Sequence, residues 1–227
     1  MIRLIKKIIL FIAISHLTYV ILLRFIDPPV TITQIVSLLS GNGFKRTHVS
    51  LDEMSTAAKL SVLAAEDQLF PDHNGFDIKG IKNALAYNKK KKGKKIRGAS
   101  TISQQVAKNV FLWQGRSWFR KGLEVYFTFL IELTWGKERI LEVYLNEAEM
   151  GKGIFGIEAA AKKYFNKKAN KLTRTEAAKI ASCLPNPVRY TVKPISPYVS
   201  RKYPWVLRQM NNLDGDPDIM AIVESSR

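Results

Sequence analysis

The stretch "SLDEMSTAAKLSVLAAEDQLF", residues 50–70, decides the fold class of this sequence. Ser50 and, three residues later, Glu53 form the pattern of a capping box, in which two side chains bond the free N–H groups of a first helical turn. The residues that follow carry no helix breaker as far as Phe70. The pattern therefore predicts one helix through residues 51–70.

Helix signals dominate the rest of the chain. Thr173 and Glu176 form a second capping box, which opens "EAAKIASCL", and Pro185 and Pro187 end that helix. Apolar residues recur at steps of three and four in two further runs, "SWFRKGLEVYFTFLIELTW" and "KERILEVYLNEAEM". Alternating strand patterns are scarce. The sequence therefore predicts a mainly α fold without an internal repeat.

The first segment, residues 1–27, has the composition of a cytoplasmic tip and a transmembrane anchor. About 16 uncharged residues run from Ile8 to Leu23, and with Arg24 snorkelling this length spans a bilayer. No small-x-small cleavage site follows, so the sequence favours an uncleaved anchor over a cleavable signal peptide. The charges before the span predict a cytoplasmic N-terminus and a domain outside the inner membrane; they are Arg3, Lys6 and Lys7.

The rest of the chain is expected to form a juxtamembrane stalk, residues 28–49, and one domain, residues 50–227. Thirty-six Lys and Arg against nineteen Asp and Glu give a net charge of +17, which indicates an anionic partner. Nucleic acid, anionic lipid and a phosphorylated substrate all fit that charge. The single cysteine, Cys183, lies in an apolar run and is expected to be a buried, inert thiol.

Two adjacent acids follow the apolar run, in "EDQLFPDHNGFD". Val62 and Leu63 precede Glu66 by four and three residues and share its helix face, whereas Asp67 points about 100° away. Partial desolvation on that face raises the pKa of a carboxyl group and makes it a better proton acceptor. Glu66 is therefore a candidate general base. The alternative is a solvated helix end followed by a turn.

A small-residue turn, Gly98-Ala99-Ser100, leads into the helical run "TISQQVAKNVFLW". Thr101, Gln105 and Lys108 fall on one face of that helix. Free N–H groups at a helix start bind anions, and amides with hydroxyls bind sugars. The segment suits a groove for sugars and phosphate, with a plain polar helix face as the alternative.

A third run, "RSWFRKGLEVYFT", places Arg116, Arg120 and Glu124 four residues apart. In a helix the three side chains lie on one face. An arginine that precedes its glutamate gives the weaker surface pair, so a stabilising surface pair is not the best explanation. Guanidinium groups bind phosphate oxygens in pairs, and the run therefore indicates a site for a charged leaving group.

Taken in order, the motifs "EDQLFPDHNGFD", "GASTISQQ" with "KN", "RKGLE", "KERILEVYLNEAEMG" and "AAAKKYF" with "LTRTEAA" resemble the signature of the peptidoglycan glycosyltransferases, glycosyltransferase family fifty-one. The likeness spans about residues 50–190. It implies a lysozyme-like α fold that extends glycan strands from lipid II at the outer face of the inner membrane. The sequence leaves no room for a transpeptidase domain, so we expect the monofunctional form.

Carried over by position, the resemblance makes Glu66 the catalytic base and Glu124 the second essential carboxylate. It also implies a divalent cation, Mg²⁺ or Mn²⁺, weakly held near Glu124, and no organic cofactor. Ala99 and Ser103 replace a glycine and a threonine of the family motif. The implied substrate-binding residues are Ser100, Thr101, Gln104, Gln105, Lys108, Arg116, Arg120, Lys121 and Asn146.

The resemblance further implies an inverting reaction. The 4-hydroxyl of an acceptor GlcNAc attacks the anomeric carbon of the donor MurNAc, and undecaprenyl pyrophosphate leaves. The expected partners are lipid II, the growing strand, the membrane and other cell-wall synthesis and division proteins, with no nucleic acid. The lysine run, residues 89–95, is expected to be a solvated loop or to attract anions. Two other classes stay open: a lysozyme-like hydrolase, and a tethered nucleic-acid binder.

Overall fold

The computed structural model describes residues 2–91, 98–115 and 117–225. Within these residues the chain forms eleven α-helices and three short strands, so the mainly α prediction is confirmed. The helices are α1 (Ile2–Leu22), α2 (Ile32–Leu39), α3 (Thr56–Glu66), α4 (Ile78–Lys90), α5 (Ile102–Phe111), α6 (Trp118–Thr134), α7 (Lys137–Glu147), α8 (Ile157–Phe165), α9 (Arg174–Ala181), α10 (Pro197–Leu213) and α11 (Pro217–Glu224). The strands are β1 (Lys45–Arg46), β2 (Glu149–Gly151) and β3 (Ile154–Phe155).

Helix α3 lies at the centre of the domain. It packs between α9 and α10, and its side chains Leu60, Val62 and Leu63 are fully buried. A helix covered on several sides is apolar around its circumference rather than along one stripe. Burying side chains of this size stabilises the fold by roughly 1.5–3 kcal/mol each. The last residue of α3, Glu66, is therefore carried by a rigid element.

The predicted helix through residues 51–70 was wrong at both ends. Ser50 and Glu53 do bond each other, but this capping box closes only a short 3-10 turn, Leu51–Glu53. Met54 is then extended (φ −103°, ψ 137°), and the hydroxyl of Ser55 caps α3. The helix ends at Glu66. Two caps lie in succession here, and the sequence pattern does not show which one starts the long helix.

Helix α1 is exposed along most of its length. It has 21 residues, and an 18-residue stretch of it has a mean hydropathy of 1.9, so it is long and apolar enough to cross a membrane. Its C-terminal end is fixed to the domain. Nε1 of Trp135 donates to the carbonyl of Val20 (2.8 Å), and the guanidinium of Arg139 donates to the carbonyls of Leu23 and Ile26 (3.0 and 2.8 Å).

Residues 28–49, expected to form a stalk, are folded onto the domain. Thr31 caps α2, and Nε2 of Gln34 donates to Glu147 at the end of α7 (2.7 Å). Strand β1 adds to the small sheet. The segment resembled a connection because its inward-facing residues are polar: Gln34 and Ser37 are buried on α2.

The three strands form one sheet in the order β1-β3-β2. β2 and β3 make an antiparallel hairpin, and β1 lies parallel to β3. The hairpin turn passes close to the end of α2: a Cβ at Gly153 (φ +66°) would lie 2.2 Å from the carbonyl oxygen of Asn42. The run "KERILEVYLNEAEM" was predicted to be helical throughout, but the chain leaves α7 at Glu147 and enters β2.

Candidate active site

The carboxylate of Glu66 lies at the end of α3, beside the start of α5. Val62 and Leu63 lie on its helix face and are fully buried, in agreement with the predicted apolar stripe. Nε2 of Gln105, one turn into α5, donates a hydrogen bond of 2.8 Å to Oε2 of Glu66. Two of the predicted site residues are thus in direct contact.

The surroundings of Glu66 act on its pKa in both directions. Burial is the largest influence and raises the pKa, and the neighbouring charge of Asp67 adds to it. The hydrogen bond from Gln105 and the positive charges of Lys202 and Lys108 oppose this rise. The net result is a raised pKa, as expected for a carboxyl group that accepts a proton during a reaction.

Asp67 has a structural role that differs from that of Glu66. Its carboxylate accepts a hydrogen bond from the backbone N–H of Ile102 at the start of α5 (2.9 Å) and contacts Nε2 of His73 (3.0 Å). Nδ1 of His73 accepts from the N–H of Gly75 (3.1 Å), so Nε2 carries the proton that it donates to Asp67. Asp67 therefore ties the end of α3 to the start of α5.

A cleft of about 340 Å³ opens beside Gln105. Lys108 of α5, Tyr144 of α7 and Glu149 of β2 line it, together with residues 184–188. Burial lowers the pKa of Lys108, and the negative charge of Glu124 is the strongest opposing influence. Lys108 therefore lies within the field of Glu124 as well as that of Glu66.

Glu66 itself faces a neighbouring depression of about 360 Å³, which Gln68, Asp77 and Trp205 also line. Gln105 lies between this depression and the cleft, since it bonds Glu66 and lines the cleft wall. The Glu66–Gln105 hydrogen bond therefore joins one residue from the lining of each concave region.

The motif at the start of α5 contains buried residues that cap the helix and an exposed serine. Thr101 and Gln104 are buried and form a capping box, in which Oγ1 of Thr101 also donates to the carbonyl of Gly75 (2.7 Å). The hydroxyl of Thr101 and Oε1 of Gln104 are thus engaged within the protein. Ser100 is exposed and lines a smaller depression together with Gln104 and Lys121. Of Ser100, Thr101 and Gln104, the first and the last therefore lie beside a concave surface.

The predicted basic face of α6 is an ion-pair cluster around Glu124. Nη1 of Arg120 lies 2.7 Å from Oε2 of Glu124, and Nζ of Lys121 pairs with Oε1. Nε of Arg120 also donates to the carbonyl of Gly115 (2.9 Å). Glu124 is buried, with 3% of its surface exposed. Arg116, the other predicted member, lies outside the described residues.

The structure does not bring Asn146 to the cleft. Nδ2 of Asn146 donates to the carbonyls of Val49 and Glu142, and its Oδ1 accepts from the N–H of Val49. The residue is buried. Both polar atoms of its side chain are bonded to backbone, so in this structure Asn146 links α7 to the segment that precedes Ser50.

The sequence matches the family model described as Transglycosylase over residues 32–211. The chain belongs to the transglycosylase family. It is similar to the biosynthetic peptidoglycan transglycosylases of Shigella boydii serotype 4 (strain Sb227), Escherichia coli O157:H7 and Escherichia coli (strain K12 / DH10B). Each is 55% identical to this transglycosylase over 187 residues, which are 81% of this chain and 77% of the relative.

Family membership confirms three of the predictions for this transglycosylase. The family, the glycosyltransferase class of enzyme and the lysozyme-like fold all agree with the resemblance in the sequence. The matched residues begin at position 32 and thus include α2 and β1, which agrees with the packing of these two elements on the domain.

The predicted divalent metal does not fit the residues around Glu124. Both carboxylate oxygens of Glu124 are engaged by cations, Arg120 and Lys121. Within residues 2–91, 98–115 and 117–225, no group of three or more His, Cys, Asp or Glu side chains is arranged to hold an ion. Hard cations need several oxygen ligands, so this transglycosylase offers no resident site there, and we derive no step through a metal.

Sequence reasoning missed two residues of the site. Tyr144 lines the cleft, and its hydroxyl donates to Oε1 of Gln105 (3.3 Å). It lies in a periodic apolar helix, where a tyrosine is indistinguishable from an ordinary core aromatic. Lys202 acts on the pKa of Glu66 from α10. Lys202 lies far from Glu66 along the chain, so no local sequence pattern connects the two residues. The one available indication is the run "SRKYPWVLRQM", which combines cations with aromatic residues in one helix.

Proposed function

We propose that this transglycosylase polymerises lipid II into glycan strands during bacterial cell wall biosynthesis. The relatives that are 55% identical are named for peptidoglycan, which supports this substrate class. The positive charge of the protein and the basic residues of its site support a pyrophosphate-linked donor. The proposal covers the two sugars that react, the leaving group and the placement of the enzyme in the membrane.

Glu66 is the proposed general base. It removes the proton from the 4-hydroxyl of the acceptor GlcNAc, which then attacks the anomeric carbon of the donor MurNAc and inverts its configuration. The observation that carries the proposal is the environment of Glu66: a carboxylate with a raised pKa that lines one concave region and is held by Gln105, which lines the other.

Undecaprenyl pyrophosphate is the proposed leaving group. Its negative charge needs cations rather than a general acid. Lys108 lines the cleft, and Arg120 and Lys121 are held on α6 by Glu124. We assign to Glu124 the positioning of these two cations, because both of its oxygens accept from them. Ser100, at the surface near Lys121, is the proposed contact for the donor sugar.

The proposed location is the inner membrane, with a single pass through α1. The cations Arg3, Lys6 and Lys7 favour a cytoplasmic N-terminus, which puts the catalytic domain on the outer side. A substrate with a polyprenyl tail remains in the bilayer, and an anchored enzyme meets it by diffusion in two dimensions. Helix α1 supports the anchor by its length and hydropathy.

The outer face of α2 is the proposed contact with the bilayer surface. The burial pattern of this helix is the reverse of that in a helix of a soluble domain, because its polar side chains face inward and its apolar side chains face outward. Gln34 and Ser37 are buried, whereas the apolar Ile35, Val36 and Leu39 are 45%, 50% and 81% exposed. Apolar side chains on the outside of a helix that follows an anchor are stabilised by acyl chains. Trp118 and Phe119 at the start of α6 are a second pair of exposed apolar side chains, at 93% and 71%.

The experiment that tests this function compares the wild-type protein with Glu66→Gln in detergent. Both are incubated with labelled lipid II, and the products are separated by size. Loss of a general base lowers the rate by about 100-fold or more, so long strands are expected from the wild type alone. Glu224→Gln, an acid-to-amide change at the exposed end of α11, is the matched control. Polymer formed by Glu66→Gln at the wild-type rate would exclude Glu66 as the base.

A further inference from the structure

Three exposed lysines that have no part in the proposed reaction line one pocket at the turn of the β2–β3 hairpin. Lys45 of β1, Lys152 of the turn and Lys163 of α8 line a pocket of about 230 Å³. Asn42 and Gly43, which follow α2, complete its wall. The pocket is separate from the cleft: the two share no lining residue.

The charges of this lysine pocket are not balanced by the protein. Among the described residues, Lys45, Lys152 and Lys163 form no ion pair, whereas the adjacent Lys162 pairs with Glu158 (3.6 Å). The carboxylate in the same hairpin, Glu149, accepts instead from the N–H of Gly153 (3.0 Å). Like charges held together repel one another, and a bound anion offsets that repulsion.

The position of the pocket indicates which anion it meets. Helix α2 presents apolar residues outward and ends in the turn that forms the pocket wall. Nη1 of Arg46, next to Lys45, donates to the carbonyl of Pro29, just beyond the anchor (3.1 Å). Cations beside an apolar face at the bilayer surface lie at the depth of the lipid phosphates.

We propose that Lys45, Lys152 and Lys163 form a binding site for the phosphate of an anionic phospholipid on the outer side of the membrane. The inference rests on the proposed function, because it uses the same placement of the domain. It adds a second lipid contact, which is distinct from lipid II. The pocket has room for a phosphodiester headgroup, while the acyl chains would lie along the apolar face of α2.

The test measures lipid binding directly and needs no turnover. The full chain in detergent is titrated with phosphatidylglycerol or with zwitterionic phosphatidylcholine, and bound lipid is counted by native mass spectrometry. The test variant is Lys45→Gln/Lys152→Gln/Lys163→Gln. The control, Lys168→Gln/Lys171→Gln/Arg208→Gln, removes three exposed cations elsewhere. We expect wild type and control to prefer phosphatidylglycerol, and the test variant to lose that preference by tenfold or more.

Two competitors distinguish other sources of the anion. Displacement of phosphatidylglycerol by inorganic phosphate at millimolar concentration would make the pocket a plain phosphate site. Displacement by soluble peptidoglycan fragments would assign it to stem-peptide carboxylates. Either result overturns the proposal, as does a test variant that keeps the full lipid preference. Lys163→Gln alone, on the exposed side of α8, serves if the triple variant does not fold, and we expect it to lose part of the preference.

Failure of this inference and failure of the proposed function are separable. Polymerisation of lipid II in detergent by the test variant is expected within about twofold of wild type, because the three lysines lie outside the cleft. Normal polymerisation with unchanged lipid preference would remove the phospholipid site and leave the proposed function standing. A protein that prefers phosphatidylglycerol but does not polymerise lipid II would remove the proposed function and leave the phospholipid site standing.

Discussion

Nε2 of Gln105 lies 2.8 Å from Oε2 of Glu66, and Oε1 of the same glutamine accepts from the hydroxyl of Tyr144 at 3.3 Å. The tyrosine hydroxyl donates to the amide oxygen, so the amide N–H groups must face the carboxylate. One side chain thus links the candidate base to the wall of the cleft. It also fixes which carboxylate oxygen remains open to an acceptor sugar.

Replacing Gln105 is expected to change the pH dependence of polymerisation. The hydrogen bond from Gln105 holds the pKa of Glu66 below the level that burial alone would set. A general base works deprotonated, so Gln105→Ala should move the acidic limb of the rate profile to higher pH. A charge-assisted hydrogen bond contributes about 1.5 kcal/mol, so the rate on the acidic limb should fall about tenfold, with a smaller fall on the alkaline side where Glu66 is deprotonated in both proteins.

The pH–rate profile on lipid II measures this effect. Tyr144→Phe is the companion variant, and a smaller shift in the same direction is expected because the amide then loses its fixed orientation. Profiles of Gln105→Ala and wild type that superimpose after scaling would show that Gln105 does not act through Glu66.

Glu124→Gln should reduce stability and activity together. The change leaves the buried guanidinium of Arg120 without its charged partner, although Arg120 keeps its bond to the carbonyl of Gly115. Breaking a buried pair costs about 3 kcal/mol, so thermal unfolding in detergent should occur several degrees lower. Glu124→Asp, which keeps the charge, should recover part of the stability. Unaltered stability in Glu124→Gln would exclude the assigned positioning role.

Arg139→Gln should loosen the anchor from the domain. Arg139 bonds the carbonyls of Leu23 and Ile26 and forms a buried ion pair with Glu142, so the change removes the cation from this pair, although Glu142 keeps the hydrogen bond from the N–H of Leu51. The free energy of unfolding should fall by about 3 kcal/mol. Spin labels at exposed sites on α1 and α4 should give a broader distance distribution than in wild type. Arg208→Gln, at an exposed site, is the control, and an equally narrow distribution in Arg139→Gln would contradict the prediction.

His48 should make the stability of the protein depend on pH. Burial alone would lower the pKa of His48, but its ion pairs with Glu147 and Asp27 (2.8 and 3.0 Å) outweigh this and raise the pKa above its ordinary value. The stabilisation is therefore complete below about pH 6.5, the ordinary histidine pKa, and is lost as the pH rises through the folded value. Unfolding measured from pH 6 upward should show this slope. The slope should be absent in His48→Gln, and an identical slope there would assign it to another group.

Cys183 should be unreactive in the folded protein. The thiol is fully buried, its Sγ donates to the carbonyl of Met150 (3.2 Å), and burial raises its pKa to about 12. The thiolate is the reactive form, so alkylation at pH 8 should proceed only after unfolding. Mass spectrometry after iodoacetamide treatment, with and without denaturant, measures this. Rapid labelling of the native protein would show that the α9 region opens. The structure confirms the burial of this thiol that the sequence predicted, and its inertness stays a prediction.

The helices of the domain were predictable because their patterns are local. The capping box at Thr173, the apolar period of α6 and the placement of Glu66 beside Val62 and Leu63 depend on neighbours within four residues. For the same reason the family motifs, each a short run, pointed to Gln105 and Lys108, which line the cleft, and to Glu66, which Gln105 bonds.

Contacts between distant segments were not predictable in this way. Asn146 lies in a family motif, yet its bonds to Val49 join residues far apart in sequence. Thr101 and Gln104 are polar and near a helix start, but the capping box engages them. Helix α2 resembled part of a stalk because its burial pattern is the reverse of the usual one. Its polar side chains bond partners such as Glu147 inside the domain, and its apolar side chains face outward.

The bonds from Trp135 and Arg139 to the end of α1 have a consequence for how a strand would leave the enzyme. A domain on a free tether can lean and swivel while it works. A domain that is hydrogen-bonded to the base of its anchor keeps its cleft in one orientation relative to the bilayer. Each added disaccharide would then move the finished polymer in one fixed direction relative to the enzyme. As the strand lengthens, either the polymer moves past a stationary enzyme, or the enzyme with its anchor moves in the opposite direction within the plane of the membrane.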